Sequence, residues 1–375
     1  MGIYERLGVP VLINGQGTVT RIGGSIMAPE VLEAMAEASR NFVDIVELND
    51  AIGREIACIM RTEAALVTAG SADAILLATA GILTGTDPGK IRRLPDTTGM
   101  KNQVITHKCQ RHVYDHSVRA AGAQLVEIGM NDRTFPWELE QAINDQTAAV
   151  FYTIAPRLRS GALPFPEVVE IAHRRGIPVY VDAASMLPPA ESLWRWTEAG
   201  ADLVIFSGGK GLMGPQSSGI LAGKKDLIAA ARLNHAPFHS IGRTAKVCRE
   251  EMAGLLVALE RYVQRDHQAD YAHWTAQAGY ITNAVNTLGL PGVQGSVVFD
   301  EDIGTCPNAV ITIDAAKFGR SAYEVRQKVE GGVPRIILGF NPMPETCREI
   351  VVNPHMLQAG ETEVVAQRIV GALKG

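Results

Sequence analysis

Between about residues 62 and 222, short apolar runs alternate with segments whose apolar residues recur at helical spacing, the pattern that βαβ units leave. The runs predict strands at Ala64–Thr68, Gln103–Thr106, Gln124–Ile128, Ala148–Ile154, Ile177–Val181, Leu203–Ser207 and Gly219–Ala222. Several are β-branched with little polar alternation, such as Val179-Tyr180-Val181 and Leu203-Val204-Ile205-Phe206, as expected of strands covered by helices on both faces. The segments between them predict helices at Ser71–Leu83, Val113–Ala121, Pro136–Ile143, Pro166–Arg174 and Leu193–Ala199, with Pro136 and Pro166 suited to first turns. An α/β fold with a mostly parallel sheet follows, and its sites should lie at the C-terminal strand ends.

After Ala222 the pattern changes. A long helical region from about Thr244 to Leu288 leads into a turn-rich stretch. A smaller α+β pattern comes next, with strands near Ala309–Ile313, Arg335–Leu338 and Glu349–Val352 and a last helix from about Glu361 to Leu373. The expected organisation is a large domain, 1–245, that includes an N-terminal arm, 1–45, and a small C-terminal domain, 246–375.

Composition narrows the reading. At 46% hydrophobic and 20% charged residues, the 375-residue chain is too apolar and too weakly charged to be disordered. The balance of 35 Lys+Arg against 40 Asp+Glu lacks the positive excess of phosphate-backbone binders, so no nucleic-acid partner is expected. No run approaches the ~18 to 20 apolar residues of a membrane span. The start, MGIYERLGVPVLINGQG, lacks the apolar core of a secretory signal. Cys58, Cys109, Cys248, Cys306 and Cys347 are scattered without a C-x-x-C pair, so a cytoplasmic protein with reduced thiols and no metal site is expected.

Common catalytic signatures fail. Gly15-Gln16-Gly17-Thr18-Val19-Thr20 carries Thr where a dinucleotide fingerprint needs its third glycine. There is no phosphate-binding G-x-x-x-x-G-K-[ST] and no H-E-x-x-H, and Pro215 stands where a nucleophile elbow at Ser217 needs glycine. What survives is a pair of strand ends, Val179-Tyr180-Val181-Asp182 and Leu203-Val204-Ile205-Phe206-Ser207-Gly208-Gly209-Lys210-Gly211. In a parallel sheet, Asp182 and Lys210 would converge on one crevice. Pyridoxal phosphate makes that demand: a lysine amine for the Schiff base and an acid that keeps the pyridine nitrogen protonated. Its phosphate also needs an anion site. Gly70, Ser71 and Ala72 offer one at a strand–turn–helix junction, and Ser207 is a second candidate.

The phrases INGQGTVTRIGGS, GSADA, RHVYDHSVRAAGA, VDAAS, FSGGKGLMGPQSSGIL and GRTAKVCREEMAGLLVALE resemble the fold-type I pyridoxal-phosphate enzymes of the selenocysteine-synthase-like group, which includes D-glucosaminate-6-phosphate ammonia-lyases. The resemblance runs from about residue 10 to the C-terminus. It implies a cofactor lysine at Lys210, Asp182 at the pyridine nitrogen, and homodimers or larger assemblies with shared active sites. It places a ring-stacking histidine in RHVYDH, with His112 favoured and His116 the alternative. It puts Arg243 where such enzymes reach a neighbouring subunit's phosphate, and Arg335 where they clamp a substrate carboxylate, with Arg21 or Arg157 next in line. Thr18, Thr20 and Arg21 suit either the substrate pocket or a domain interface. The expected reaction is α,β-elimination from a β-hydroxy or β-substituted amino acid, giving a 2-oxo acid and ammonia. Racemisation, aldol cleavage, transamination and a non-catalytic binding subunit are the alternatives.

Overall fold

Strands that read as unbroken apolar runs are buried from end to end in the computed structural model, which describes residues 2–155, 160–299, 306–339, 346 and 348–375. Among the described residues there are twelve strands: β1 (Leu12–Gly15), β2 (Ala64–Thr68), β3 (Gln103–His107), β4 (Gln124–Ile128), β5 (Thr147–Thr153), β6 (Val179–Asp182), β7 (Leu203–Ser207), β8 (Gly219–Gly223), β9 (Val293–Val298), β10 (Asn308–Ile313), β11 (Arg335–Leu338) and β12 (Glu349–Val352). All residues of β5, β6 and β8 are buried. That pattern requires cover on both faces of the sheet.

The chain divides into two compact units, Ile26–Arg265 and Met1–Ser25 with Asp266–Gly375. In the larger one, seven strands form a sheet in the order β2-β8-β7-β6-β5-β3-β4. Every neighbouring pair is parallel except those made by β8, which runs antiparallel to β2 and β7. Leu66, Ala74, Leu77, Val104, Phe151, Tyr180, Leu203 and Leu221 pack into one core between the sheet and the helix Ser71–Thr84. This is the α/β fold, with a mostly parallel sheet, that the periodicity predicts.

The edge strand β2 is closed by a side chain. Asn49, buried on the helix Ile45–Met60, donates from Nδ2 to the Val67 carbonyl at 2.9 Å and accepts the Val67 N–H at Oδ1 at 3.0 Å. One amide side chain thus takes the place of a neighbouring backbone.

The larger unit extends to Arg265, whereas the change of sequence pattern suggests a boundary near 245. The reason is packing: the helix Arg249–Gln264 lies against the helices Pro29–Ala38 and Ile45–Met60. The helical region expected from Thr244 to Leu288 is two helices, the second being His267–Asn286, whose N-cap Asp266 accepts from the Ala269 N–H. Residues 1–25 group with the C-terminal unit because β1 pairs in parallel with β11. That unit also holds the antiparallel sheet β12-β10-β9, and its core gathers Ile13, Ile311, Val325, Ile336, Ile350, Val365 and Ile369. No helix among the described residues is long and apolar enough to cross a membrane. Cys58, Cys109, Cys248 and Cys306 are free thiols, and Cys347 lies outside the described residues.

Candidate active site

Asp182 closes β6 and pairs in register with Ile205 on β7 and Thr153 on β5. Its backbone is held on both sides: Ile154 N–H donates to its carbonyl at 2.9 Å, and Ala183 N–H to Ile205 O at 3.0 Å. The carboxylate is 6% exposed and accepts the Ala184 N–H at 2.9 Å. An acid this buried requires a compensating charge or hydrogen bonds.

Lys210 stands three residues past the end of β7, in a loop that turns back into β8. Hydrogen bonds from Gly208 N–H to Ser218 O (2.8 Å), Gly214 N–H to Gly208 O (2.9 Å) and Met213 N–H to Lys210 O (2.9 Å) tie the loop to itself. The glycines around the lysine are required by contact. A Cβ on Gly208 would lie 2.0 Å from Ser218 Oγ, and one on Gly211 2.3 Å from Leu187 O. Burial lowers the pKa of the Lys210 ammonium, and the negative charge of Asp182 partly offsets that effect. The two groups therefore act on each other from adjacent strand ends.

His112 reaches the same edge. Its Nδ1 accepts the Tyr114 N–H at 3.2 Å, so in the neutral ring Nε2 carries the proton and donates to Thr153 Oγ1 at 3.1 Å. His116 points elsewhere: it is exposed on the helix Asp115–Ala120, with Nδ1 3.2 Å from an Arg119 guanidinium nitrogen. Of the two histidines offered by the sequence, the structure brings only His112 to the neighbours of Asp182.

The turn between β2 and the helix Ser71–Thr84 has the form of an anion cradle. Gly70 adopts φ +126° and ψ 168°, a conformation that residues with a side chain rarely enter. The first N–H groups of the helix, beginning at Ser71, have no intrahelical acceptor. Thr68 and Ser207 both pair in register with Gly219 on β8, which sets Ser207 and the Gly70–Ser71–Ala72 turn side by side. Gly219 carries no side chain for a physical reason: a Cβ there would lie 2.6 Å from Gly70 C and 2.8 Å from Ser71 N. Gly219→Ala should force the cradle open. Overpacking of this kind costs about 1–3 kcal/mol, so the dissociation constant for pyridoxal phosphate should rise about tenfold. Absorbance titration of cofactor-free protein checks this, and a value within about twofold of wild type would place the phosphate elsewhere.

Arg243 is exposed, and its backbone N–H donates to Ser240 O at 3.0 Å. In the smaller unit Arg335, Thr20 and Arg21 are all exposed. Arg335 pairs with Leu12, at the opposite end of the β1–β11 pair from Gly15, where the chain leaves toward Thr20 and Arg21. The pairing does not itself bring these three residues together. Arg157 lies outside the described residues.

Three residues at or behind this edge are not singled out by the sequence. Thr153 ends a strand as Asp182 does, and that shared position is the signal that could have found it. Asp73 reads as an ordinary acid in a first helical turn. His235 belongs to no motif.

The donor set fits pyridoxal phosphate: a half-buried amine beside a buried carboxylate, an imidazole at the next strand end, and a turn of free N–H groups that a Cβ would fill. Together with the order of the sheet, this defines a fold-type I pyridoxal-phosphate enzyme. A profile of the family described as SelA, L-seryl-tRNA selenium transferase, matches residues 115–275. The chain is 32% identical over 337 residues to a D-glucosaminate-6-phosphate ammonia lyase of Salmonella typhimurium, spanning 88% of this chain and 87% of that one. It is 30% identical over 373 residues to a 5'-C-glycyluridine monooxygenase-decarboxylase of a Streptomyces species, spanning 98% and 90%. A solved structure of a D-glucosaminate-6-phosphate ammonia-lyase superimposes with a TM-score of 0.84 at 28% identity, over 100% of this chain and 98% of that one. A Sphingomonas wittichii serine palmitoyltransferase shares the fold at a TM-score of 0.63 and 15% identity. The chain belongs to the SelA family of pyridoxal-phosphate-dependent enzymes.

Proposed function

We propose that this chain is a lyase that performs α,β-elimination on a β-hydroxy or otherwise β-substituted amino acid, releasing ammonia and a 2-oxo acid. The observation that carries the reading is the convergence of Lys210, Asp182 and His112 on neighbouring strand ends beside an anion cradle. Elimination is favoured because the Salmonella relative and the solved structure both bear the name of an ammonia lyase.

Bound pyridoxal phosphate supplies an electron sink that makes the substrate Cα–H acidic. Gly70, Ser71 and Ala72, with Ser207, hold the phosphate. Asp182 would keep the pyridine nitrogen protonated, and His112, its orientation set by Tyr114 and Thr153, would pack against the cofactor. Lys210 is the residue that would hold the cofactor through its amine, and its Nζ would serve as the base that accepts the substrate's Cα proton. The lowered pKa of this amine raises its neutral fraction, the form that accepts a proton. The same nitrogen would return the proton to the departing β-hydroxyl, which leaves as water, and hydrolysis of the released enamine gives the 2-oxo acid and ammonia. Arg335 is proposed to grip the substrate carboxylate, with Thr20 and Arg21 as further substrate contacts. Arg243, exposed on its own chain, is proposed to reach the phosphate of a second subunit in a homodimer.

The test is a panel of β-hydroxy amino acids, D-glucosaminate 6-phosphate included, assayed for 2-oxo acid and ammonia with cofactor bound. The Streptomyces relative supports a second reading, oxidative decarboxylation, which would appear instead as oxygen uptake with carbon dioxide release. Absence of both chemistries in cofactor-loaded protein would favour a binding subunit. His112→Ala should lower kcat/KM by about 10- to 100-fold, whereas His116→Ala should stay within about twofold. Equal effects of the two substitutions, measured side by side, would reject the assignment to His112.

A further inference from the structure

Behind the cradle lies a buried pair with two unsatisfied atoms. Asp73, in the first turn of the helix Ser71–Thr84, is 7% exposed and accepts the Ala69 N–H at Oδ2 at 3.0 Å, while its Oδ1 has no partner. His235 is 2% exposed, and its Nε2, also without a hydrogen bond, is 3.9 Å from Asp73 Oδ2. Buried polar atoms are rarely left unpaired, and each orphan needs an account.

Both residues belong to elements that the site depends on. Asp73 shapes the cradle by holding Ala69, one residue before Gly70. His235 opens the segment that leads to Arg243, and that segment is closed on itself by the Gly242 N–H donating to Asn234 O at 2.9 Å and by the bridge between His235 and Gly242. Asn234 in turn donates to Thr84 Oγ1 at 3.0 Å, at the far end of the helix that begins with the cradle.

We infer that Asp73 and His235 are a positioning pair whose two groups together carry one titrating proton, which joins the phosphate cradle to the Arg243 segment and keeps the space behind a bound phosphate free of net charge. This rests on the cofactor reading above and deepens it. A bare carboxylate two residues past Ser71 would repel a phosphate dianion, and the titrating proton removes that repulsion. Burial acts on both members in the direction required: it raises the Asp73 pKa to about 7 and lowers that of His235 to about 4. Between those values the pair holds one proton and no net charge. As pH rises through the upper value it becomes an anion.

Other titratable groups on the elements packed against this helix are engaged elsewhere. Arg232 bonds to Asp50, Asp115 to Arg111, and Tyr180 to Thr79, while Asp182 acts on Lys210. Among the described residues, His235 is the charge-bearing group that comes within 4 Å of Asp73.

The experiment titrates cofactor-free protein with pyridoxal 5'-phosphate and with pyridoxal from about pH 6 to 8.5, following absorbance. The ratio of the two dissociation constants isolates the phosphate, because the titration of Lys210 enters both and cancels. In wild type, the advantage of the phosphate should fall about tenfold across this range. Asp73→Asn keeps an acceptor for Ala69 but cannot ionise, so its ratio should stay high and flat. His235→Asn places a neutral amide donor beside the carboxylate and favours its ionised form, so it should move the step about one unit to lower pH. A flat wild-type ratio, a step that persists in Asp73→Asn, or an unmoved step in His235→Asn would each overturn the pair. Phosphate that confers no advantage at any pH would instead overturn the cradle itself.

Discussion

Lys210→Ala is expected to lower kcat by about 10²- to 10⁴-fold, the range that a positioned proton-transfer group contributes. The variant should still fold and still take up pyridoxal phosphate, because the cradle and Asp182 are intact. Borohydride treatment of wild type should fix a pyridoxyl group on Lys210, and the variant should give no labelled peptide. Added small alkylamines should restore part of the activity, since the missing group is an amine at one place in a buried site. A pyridoxyl label on Lys224 or Lys225 would reject Lys210, and so would a variant that turns over at the wild-type rate.

The second large effect belongs to Asp182. Replacement by Asn keeps the size and the acceptor for the Ala184 N–H, but removes the charge proposed to keep the pyridine nitrogen protonated. A charge-assisted hydrogen bond contributes about 1.5–3 kcal/mol, so turnover should fall roughly 10- to 150-fold. Cofactor affinity should change much less, because the phosphate and Lys210 remain. The comparison is kcat against the dissociation constant for pyridoxal phosphate. If affinity collapses while kcat per bound cofactor is unchanged, Asp182 is an anchor and has no electronic role.

The parts of this fold that were legible in the sequence are those where local pattern and burial agree. β2, β4, β7, β11 and β12 have the bounds that their apolar runs predict; in β2 and β7 this is because a strand covered by core tolerates few polar positions, whereas β4, at the sheet edge, buries only Ile128. β9 was not legible: Gly295 interrupts it and most of its residues are exposed. β1 is four residues long and is defined by its distant pairing with β11. Nor does the sequence fix the direction of β8, which depends on how the Lys210 loop closes. For the site, Asp182 and Lys210 stood out because each follows a buried strand within a run of small residues. Thr153, Asp73 and His235 did not, since their meaning lies in contacts with residues far away along the chain. The resemblance narrowed the ring-stacking residue to two histidines. The structure adds that His112 bonds to Thr153, whereas His116 is exposed.

The Asn49 side chain that closes β2 has a mechanical consequence for the site. Val67 is the last residue but one of that strand, and Thr68, Ala69 and Gly70 follow it directly into the cradle. With both its N–H and its carbonyl clamped by a single amide, β2 cannot slide against its neighbours, and a slip of one residue would turn every side chain to the wrong face. A sheet border is also where a foreign strand adds most readily, and here the hydrogen-bonding positions at Val67 are already taken. The clamp therefore serves as an indexing pin, holding the proposed anion-binding turn at a fixed height above the sheet and keeping intruding backbone away from the strand that carries it.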